Sequence, residues 1–524
     1  MRPRHDDHVT DRPLPPSPSS SPAGLAGLAG IAAAALGVGV AEAIGGVLAG
    51  ATSLVDAIGQ VVIDLQPPGA KDFVVQLFGT NDKLALQIVV TLAALALGGL
   101  FGVLAARRFS VGAVGFGAFG VLGFIAGLAQ PLASAPIVAV EAAVATGIAI
   151  QTLSWLLGRL ERRAGVPAIP DPARRSFLLR TGAVGLGALA VGAYGRAALE
   201  SGRSAPAPAV PLPRPSEIVP PLAAGTDLAP STPGLTPIVI PNDDFYRIDT
   251  ALLVPSLDTA TWRLRIHGLV ERETTLSWEQ LVALPQFEQY CTIACVSNEV
   301  GGNLVGNAKW TGVRLRDVLD LAVPTAQATQ LVGRSVDDWT AGMPMSWVMD
   351  PEREPMIAVQ MNDEPLPRAH GYPARLIVPG LFGYVSATKW LWELELTTWE
   401  SYDGYWVPLG WSKEGPILTQ SRIDTPRGPI AAGRVPIAGV AWAPDRGIAR
   451  VEVGIDDTWR EAELSTPISD ATWVQWLLPW DATAGVHTIS VRATDGTGAV
   501  QEQIPSRPAP DGARGWHTIT VPVA

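Results

Sequence analysis

Residues that bind redox cofactors are scarce in this sequence. Only two cysteines, Cys291 and Cys295, and six histidines occur among 524 residues. Two cysteines cannot supply a disulfide framework, a four-thiolate zinc site or an iron–sulfur cluster held by four thiolates, and no C-x-x-C-H motif is present to attach a c-type haem. No histidine lies between His8 and His267, so this stretch lacks the paired imidazoles of a membrane cytochrome b. We therefore expect neither haem nor an iron–sulfur cluster, and any redox centre has to use one or two thiolates at most.

Positive charge is also in deficit. The chain has 38 Lys and Arg against 49 Asp and Glu, a formal net charge of -11, and the acidic excess lies after residue 200. An acidic C-terminal part argues against nucleic acid as a partner.

Long apolar runs, in contrast, are abundant near the N-terminus. Four of them approach the ~20 residues that cross a bilayer, at about 24–49, 84–106, 111–130 and 136–157. They predict four transmembrane helices within residues 23–157, preceded by a disordered cytoplasmic tail at residues 1–22. Glu42 and Glu141 are the charged residues inside these runs. They are candidates for proton or quinone handling, although a position near the membrane interface explains them more simply.

Basic residues predict how this part is oriented in a membrane. They precede the first run and follow the second and fourth, which places the N-terminus in the cytoplasm. Arg174 and Arg175 then open residues 173–196, which resemble a twin-arginine export signal; a basic stop before a fifth helix is the alternative. Both interpretations place the rest of the chain on the extracytoplasmic side of the cell membrane.

Three further segments follow. Residues 197–235 are rich in Pro, Ala and Ser and predict an extended linker. Residues 236–410 mix short strands and helices, which indicates an α+β domain. Residues 411–524 consist of short alternating segments separated by Gly, Asp and Pro, the pattern of an all-β sandwich.

The two cysteines lie in EQYCTIACVSNEVGG. If this stretch is extended, four residues separate their Cα atoms by ~13 Å, which is too far for a disulfide. Cys291 is typical of a buried small apolar residue. Cys295 is followed at once by polar and glycine residues that let the backbone approach a ligand, so it is a candidate nucleophile or a single soft metal ligand.

Several motifs together resemble a known family. CVSNEVGGNLVGNAKWTGVRLRDVLDLA, MNDEPLPRAHGYPARLIVPG and KWLWELELT are similar to the sulfite oxidase family of molybdopterin-dependent oxidoreductases over about residues 236–405. The C-terminal region resembles the immunoglobulin-like dimerisation domain of the same family. The resemblance implies a molybdenum–molybdopterin cofactor, a small-molecule substrate, a separate electron donor or acceptor and a homodimer. The transmembrane part lies outside it.

The resemblance also assigns roles by position. Cys295 would be the one protein thiolate on molybdenum, and Asn298 would close the family's C-x-x-N element and support the pterin. His370, Arg375 and Lys389 would hold pterin and phosphate. Further implied residues are the cofactor contacts Tyr246, Arg247 and Ser386, and the active-site tyrosine Tyr402, with Tyr405 only three residues away.

Two positions depart from the family pattern. Glu299 and Val300 stand where sulfite-oxidising members carry basic residues that help to bind the anionic substrate, and a carboxylate there would repel sulfite. We therefore expect two-electron oxygen-atom transfer on a small sulfur or other oxyanion-type substrate. The alternatives are a reductase of oxidised sulfur groups such as sulfoxides, and a non-catalytic membrane-tethered binding module.

Overall fold

The protein is described by a computed structural model. It covers residues 22–48, 50–66, 82–130, 132–161, 171–204, 214–252 and 254–524. The predicted cytoplasmic tail, residues 1–22, lies outside the described residues except for Pro22. The described residues form two compact units, a helical unit that ends at Glu200 and a second unit that follows it.

The helical unit contains six helices within its described residues. They are α1 (Pro22–Val47), α2 (Leu54–Asp64), α3 (Asp82–Arg107), α4 (Phe109–Leu128), α5 (Ala135–Glu161) and α6 (Asp171–Ser204). All except the 11-residue α2 are long and apolar enough to cross a membrane. Large apolar side chains such as Leu92, Val114 and Leu189 are exposed on their outer faces. Five helices of this unit could therefore span a bilayer.

Small residues let these helices approach closely. A Cβ atom at Gly39 of α1 would lie 2.7 Å from the carbonyl oxygen of Ala188 on α6, and one at Gly30 would clash with the backbone of Gly98 on α3. Glycine is therefore required at both positions, as is common where helices pack in lipid.

The second unit begins with an α+β domain built on two five-stranded sheets. Its strands are β1 (Arg263–Gly268), β2 (Thr274–Ser277), β3 (Gln286–Ala294), β4 (Val305–Arg314), β5 (Gln330–Ser335), β6 (Thr340–Pro344), β7 (Met356–Met361), β8 (Glu364–Pro365), β9 (Arg375–Ile377) and β10 (Leu391–Thr397). Short helices α7 (Trp278–Val282), α8 (Leu315–Asp320), α9 (Met345–Val348) and α10 (Gly383–Ser386) connect them. One sheet has the order β2-β1-β10-β5-β6, and the other β3-β4-β7-β8 with β9 paired to β7. Both sheets pack into one apolar core around Trp310, Leu264 and Ile357, which are all fully buried.

The described parts of the segment predicted as an extended linker, residues 197–204 and 214–235, have defined structure, while residues 205–213 lie outside the described residues. Helix α6 continues through the start of this segment to Ser204, and residues 214–235 lie against the second unit. The backbone nitrogen of Ser216 donates to the carbonyl oxygen of Gln286 at 2.9 Å, and Glu217 pairs with Arg314 at 2.7 Å. Composition suggested a tether, but backbone hydrogen bonds to the edge strand β3 hold this segment in place.

The C-terminal region consists of two four-stranded sheets packed face to face. Its strands are β11 (Gln420–Thr425), β12 (Gly433–Trp442), β13 (Ile448–Ile455), β14 (Thr458–Glu461), β15 (Glu463–Leu464), β16 (Val474–Ala482), β17 (Gly485–Asp495) and β18 (His517–Val523). The sheet orders are β11-β12-β16-β15 and β14-β13-β17-β18. Ile437 and Trp476 of the first sheet and Val451 and Ile489 of the second are fully buried in the shared core. We refer to this region as the sandwich.

Candidate functional site

Cys295 directly follows strand β3 at the base of a closed loop. Its backbone nitrogen donates to the carbonyl oxygen of Leu304 at 2.9 Å, and the Asn298 nitrogen donates back to the Cys295 carbonyl oxygen at 3.0 Å. Inside the loop, Asn298 Oδ1 accepts from the Leu304 nitrogen at 2.8 Å. The amide of Asn298 thus fixes the shape of the loop that carries the thiol. We call residues 295–304 the cysteine loop.

The two thiols differ in their surroundings. Neither is in a disulfide, in agreement with the extended spacing. Cys291 lies within β3 and is fully buried, and burial raises the pKa of its thiol to about 12. It is therefore an inert core residue at neutral pH. Cys295 lies where the strand ends and the cysteine loop begins.

His370 and Arg375 contact each other in the α+β domain. His370 is buried, and its Nε2 donates to the carbonyl oxygen of Asn242 at 3.0 Å. Burial, together with the charges of Lys389 and Arg375, lowers the pKa of His370 to about 3, so the ring is neutral and its Nδ1 carries a lone pair. Arg375 Nη1 donates to the His370 carbonyl oxygen at 3.0 Å, and its guanidinium lies 5.1 Å from the ring centre of Trp310.

Arg375 is an unusual buried cation. It is 3% exposed, and burial lowers its pKa to about 10. In the described part of the chain, no carboxylate forms an ion pair with it, and its Nε has no hydrogen-bond partner. A buried guanidinium without a counterion is costly. This position is therefore suited to an anionic ligand.

Lys389 and Arg247 share one carboxylate, Asp249. Lys389 Nζ donates to Asp249 Oδ2 at 3.2 Å and to the Ala369 carbonyl oxygen at 3.1 Å, and Arg247 Nε donates to Asp249 Oδ2 at 2.8 Å. Burial lowers the pKa of Lys389 to about 8, although Asp249 opposes the shift. Two cations on one carboxylate leave a net positive charge beside His370.

Tyr246 connects these groups to the thiol. Its pKa is raised by burial and by the neighbouring Cys295, while the charge of Arg375 acts in the opposite direction. The preceding ring, Phe245, packs edge-on against both Trp310 and His370. The structure thus brings together seven of the candidate residues: Cys295, Asn298, Tyr246, Arg247, His370, Arg375 and Lys389.

Ser386 and Tyr402 are placed differently. The Ser386 hydroxyl donates to the carbonyl oxygens of its own helical turn, Leu381 at 3.2 Å and Phe382 at 3.0 Å, while its helix α10 packs beside the end of β3. The Tyr402 hydroxyl donates to Thr340 Oγ1 at 3.1 Å, on strand β6 of the other sheet. The contacts of Tyr402 therefore do not join it to Cys295, and its role remains a prediction.

The sandwich also contacts the cysteine loop. Arg422 of β11 is buried, and its Nη1 donates to the carbonyl oxygen of Gly302 at 2.9 Å while its Nε pairs with Asp424 at 2.6 Å. Gly301 has a positive φ of 76°, and a Cβ atom there would clash with the ring of His517 on β18. The loop that carries Cys295 is thus held from outside the α+β domain.

Sequence reasoning missed several residues that shape this site, including Trp310, Asp249, Asn242, Arg422 and His517. Trp310 lies in a motif of the family resemblance but was not singled out, Asp249 lies two residues after the predicted contact Arg247, and Asn242 carries no motif signal. Trp310 could have been found from strand pairing, because β4 runs antiparallel to β3 and places the ring beneath Arg375. Its Nε1 also donates to the Cys291 carbonyl oxygen at 3.2 Å.

These residues fit a molybdopterin cofactor. Two buried polar atoms, His370 Nδ1 and Arg375 Nε, have no hydrogen-bond partner within the described residues. One is an acceptor and the other a charged donor, as a pterin N–H and a phosphate require. A soft thiolate at Cys295 suits molybdenum, since the cofactor brings its own sulfur ligands. The fold and the site together define a molybdopterin-binding oxidoreductase domain.

Comparison with known proteins gives the same class. The family model of the oxidoreductase molybdopterin-binding domain matches residues 251–406. The uncharacterised oxidoreductase YuiH of Bacillus subtilis (strain 168) is 31% identical over 158 residues, which are 30% of this chain and 76% of YuiH. Human mitochondrial sulfite oxidase is 31% identical over 303 residues, 48% of this chain and 55% of the human protein. The chain belongs to the sulfite oxidase family.

The match is partial in length. The chain spans 55% of human and 62% of rat mitochondrial sulfite oxidase. Among solved structures, the sulfane dehydrogenase SoxCD of Paracoccus pantotrophus aligns with a TM-score of 0.48 and 22% identity, over 54% of this chain and 81% of that one.

Proposed function

We propose that the protein is a membrane-anchored, extracytoplasmic molybdenum-cofactor oxidoreductase that transfers an oxygen atom to or from a small sulfur or other oxyanion-type substrate. The observation that carries this proposal is the combination of Cys295 with a buried, uncompensated Arg375 and a neutral His370 whose Nδ1 has no partner in the described structure. A bound molybdenum cofactor would supply the two-electron redox chemistry.

Within this proposal each side chain has a defined task. Cys295 provides the protein thiolate. Arg375 and Lys389 neutralise the phosphate of the cofactor, and Asp249 keeps the ammonium of Lys389 in place. His370 accepts a hydrogen bond at Nδ1 because its Nε2 proton is already donated to Asn242. Tyr246, Arg247, Asn298 and Ser386 complete the cofactor pocket, and Tyr402 is the proposed residue on the substrate side.

The reverse reaction, reduction of a neutral sulfoxide, is the second candidate. It is favoured by Glu299, which is exposed and forms no ion pair with any described Lys or Arg. An uncompensated carboxylate on the cysteine loop disfavours an anion such as sulfite and leaves a neutral substrate unaffected.

The remaining parts of the chain complete the proposal. The five apolar helices would anchor it in the cell membrane, with residues 173–196 acting as an internal twin-arginine-like segment. The sandwich would form an immunoglobulin-like homodimerisation domain, and a separate protein or small molecule would exchange electrons with the cofactor.

Paired assays would test this function and its direction. Purified full-length protein is assayed for sulfite-dependent ferricyanide reduction and for sulfoxide-dependent oxidation of a reduced dye. Molybdenum with either activity, lost in Cys295→Ala and retained in Cys291→Ala, supports the proposal. Protein that contains no molybdenum when produced in a cofactor-making host would overturn it.

A further inference from the structure

A cluster of charged side chains is buried in the otherwise apolar helical unit. Its members come from four helices: Glu42 on α1, Asp56 on α2, Glu141 on α5 and Arg196 on α6. The three acidic residues are 5%, 1% and 0% exposed, respectively. We call these four residues the acidic cluster.

Arg196, the one arginine of the cluster, pairs more closely with Asp56 than with Glu42. Arg196 Nη1 lies 2.8 Å from Asp56 Oδ2 but 3.8 Å from Glu42 Oε2. Asp56 also accepts from Gln87 Nε2 of α3 at 2.7 Å. Asp56 and Arg196 therefore form a hydrogen-bonded ion pair that neutralises itself.

Glu42 and Glu141 meet at the start of α2. The Ser53 hydroxyl donates to Glu42 Oε1 at 2.7 Å, and the backbone nitrogen of Thr52 lies 3.4 Å from Glu141 Oε2. Because Thr52 and Ser53 are adjacent, the two carboxylates share one small site. The other oxygen of each, Glu42 Oε2 and Glu141 Oε1, has no hydrogen-bond partner in the described residues.

The charges of this site do not balance. Three carboxylates face one guanidinium. Among the described residues, Glu42 has no cation within ion-pair distance besides Arg196, and Glu141 has none. Glu200 is exposed one turn beyond Arg196 and adds further negative charge. Helix α4 cannot balance these charges, because it carries no ionisable residue. A buried, unpaired carboxylate costs several kcal/mol, so this site must bind positive charge.

We propose that Glu42 and Glu141 form a proton-binding pair that takes up and releases protons at this end of the helical unit. The two oxygens without partners are where a carboxyl O–H would form a new hydrogen bond. A proton fits better than a metal ion, because the described residues contain no group of three side chains able to hold one. The inference rests on the proposed membrane location, since burial in lipid is what keeps solvent cations away from the pair.

An apolar cavity makes the pair accessible to a specific reagent. The cavity is lined by neighbours of the pair, Ala41, Val55 and Ala142, and by the rings of Phe101 and Phe116. A hydrophobic carbodiimide can enter such a space. It reacts with a protonated carboxyl group, whose proton moves to a carbodiimide nitrogen while the carboxyl oxygen bonds to the carbodiimide carbon.

The test uses full-length protein in lipid vesicles treated with dicyclohexylcarbodiimide and analysed by peptide mass spectrometry. We expect modification at Glu141 or Glu42, falling about tenfold per pH unit above the titration midpoint of the pair. Glu141→Gln and Glu42→Gln each lower total labelling at least severalfold, whereas the matched control Asp64→Asn, at the exposed end of α2, leaves it unchanged. The infrared carbonyl band of a protonated carboxyl group, shifted in D2O, gives the same information on the unmodified wild-type chain.

The outcomes separate this inference from the proposed function. Protein that resists carbonate extraction from membranes yet shows neither labelling nor the infrared band overturns the proton-binding pair alone. Labelling suppressed by sodium at constant pH overturns it in favour of a cation site. Protein released by carbonate overturns the membrane proposal and the inference together.

Discussion

Replacement of Arg375 should hardly change the stability of the empty protein and should weaken cofactor binding about 100-fold. Arg375 is 3% exposed, and burial lowers its pKa to about 10. A folded-state pKa below the ordinary value of a base means that the charged form is disfavoured on folding. From this shift, the guanidinium costs the folded, cofactor-free protein about 3 kcal/mol at neutral pH.

Arg375→Met removes this cost but also removes two favourable contacts of the guanidinium. The hydrogen bond to the His370 carbonyl oxygen contributes about 1.5 kcal/mol, and the contact with the Trp310 ring about 1 kcal/mol. The cofactor-free variant should therefore be more stable than the wild type by roughly 0.5 kcal/mol. Loss of the phosphate partner should weaken cofactor binding by about 3 kcal/mol, on the order of 100-fold.

The assay combines urea unfolding in detergent with molybdenum analysis. Trp155 is the only tryptophan before residue 262, so tryptophan fluorescence reports on the second unit. Arg314→Met is the matched control, because Arg314 pairs with Glu217 and Glu354. We expect it to lose about 1 kcal/mol and to keep its molybdenum. An Arg375→Met protein that is destabilised by more than about 2 kcal/mol and still retains molybdenum would refute this reasoning.

Three further predictions concern the same site. The pKa of His370 is lowered to about 3, so the unfolded chain binds a proton at this residue between pH 7 and 5 while the folded protein does not. Lowering the pH from 7 to 5 should therefore reduce the free energy of unfolding of the cofactor-free protein by about 2 kcal/mol, and urea unfolding of His370→Gln should not show this reduction. Gly301→Ala should lower the free energy of unfolding by about 2 kcal/mol and reduce molybdenum content, because the new methyl group meets His517 and φ is positive. The control Gly498→Ala, at a position with positive φ but open surroundings, should lower the free energy of unfolding by about 1 kcal/mol and keep the metal. Glu299→Arg should lower the KM for sulfite about tenfold in steady-state assays, because a repulsive charge becomes an attractive one.

Each of these has a contrary outcome. An equal acid sensitivity of wild type and His370→Gln would show that the imidazole is protonated at little cost. Equal losses in the two glycine variants would remove the role assigned to the sandwich in shaping the cysteine loop. An unchanged KM in Glu299→Arg would place this side chain outside the substrate path.

The sequence predicted the features that depend on local pattern. Apolar length located the five long helices but not the 11-residue α2, and extended spacing separated Cys291 from Cys295. The linker prediction rests on proline content, which describes what a segment prefers alone. It cannot reveal that Ser216 and Glu217 add to the edge of β3.

Motifs identified most of the candidate site, whereas long-range contacts complete it. Arg375 and Lys389 are visible in the sequence, but their different environments depend on Asp249, which forms an ion pair with Lys389 and not with Arg375. Arg422 and His517 reach the cysteine loop from more than 100 residues away. Such contacts depend on how the two domains dock, which periodicity and spacing do not encode.

The central claim is that Cys295 is the one protein thiolate on molybdenum. X-ray absorption at the molybdenum edge of purified full-length protein tests it directly. The wild type and Cys291→Ala should contain molybdenum with identical sulfur coordination, and Cys295→Ala should lose the metal or one sulfur ligand. The same metal content and sulfur coordination in Cys295→Ala and the wild type would contradict the assignment.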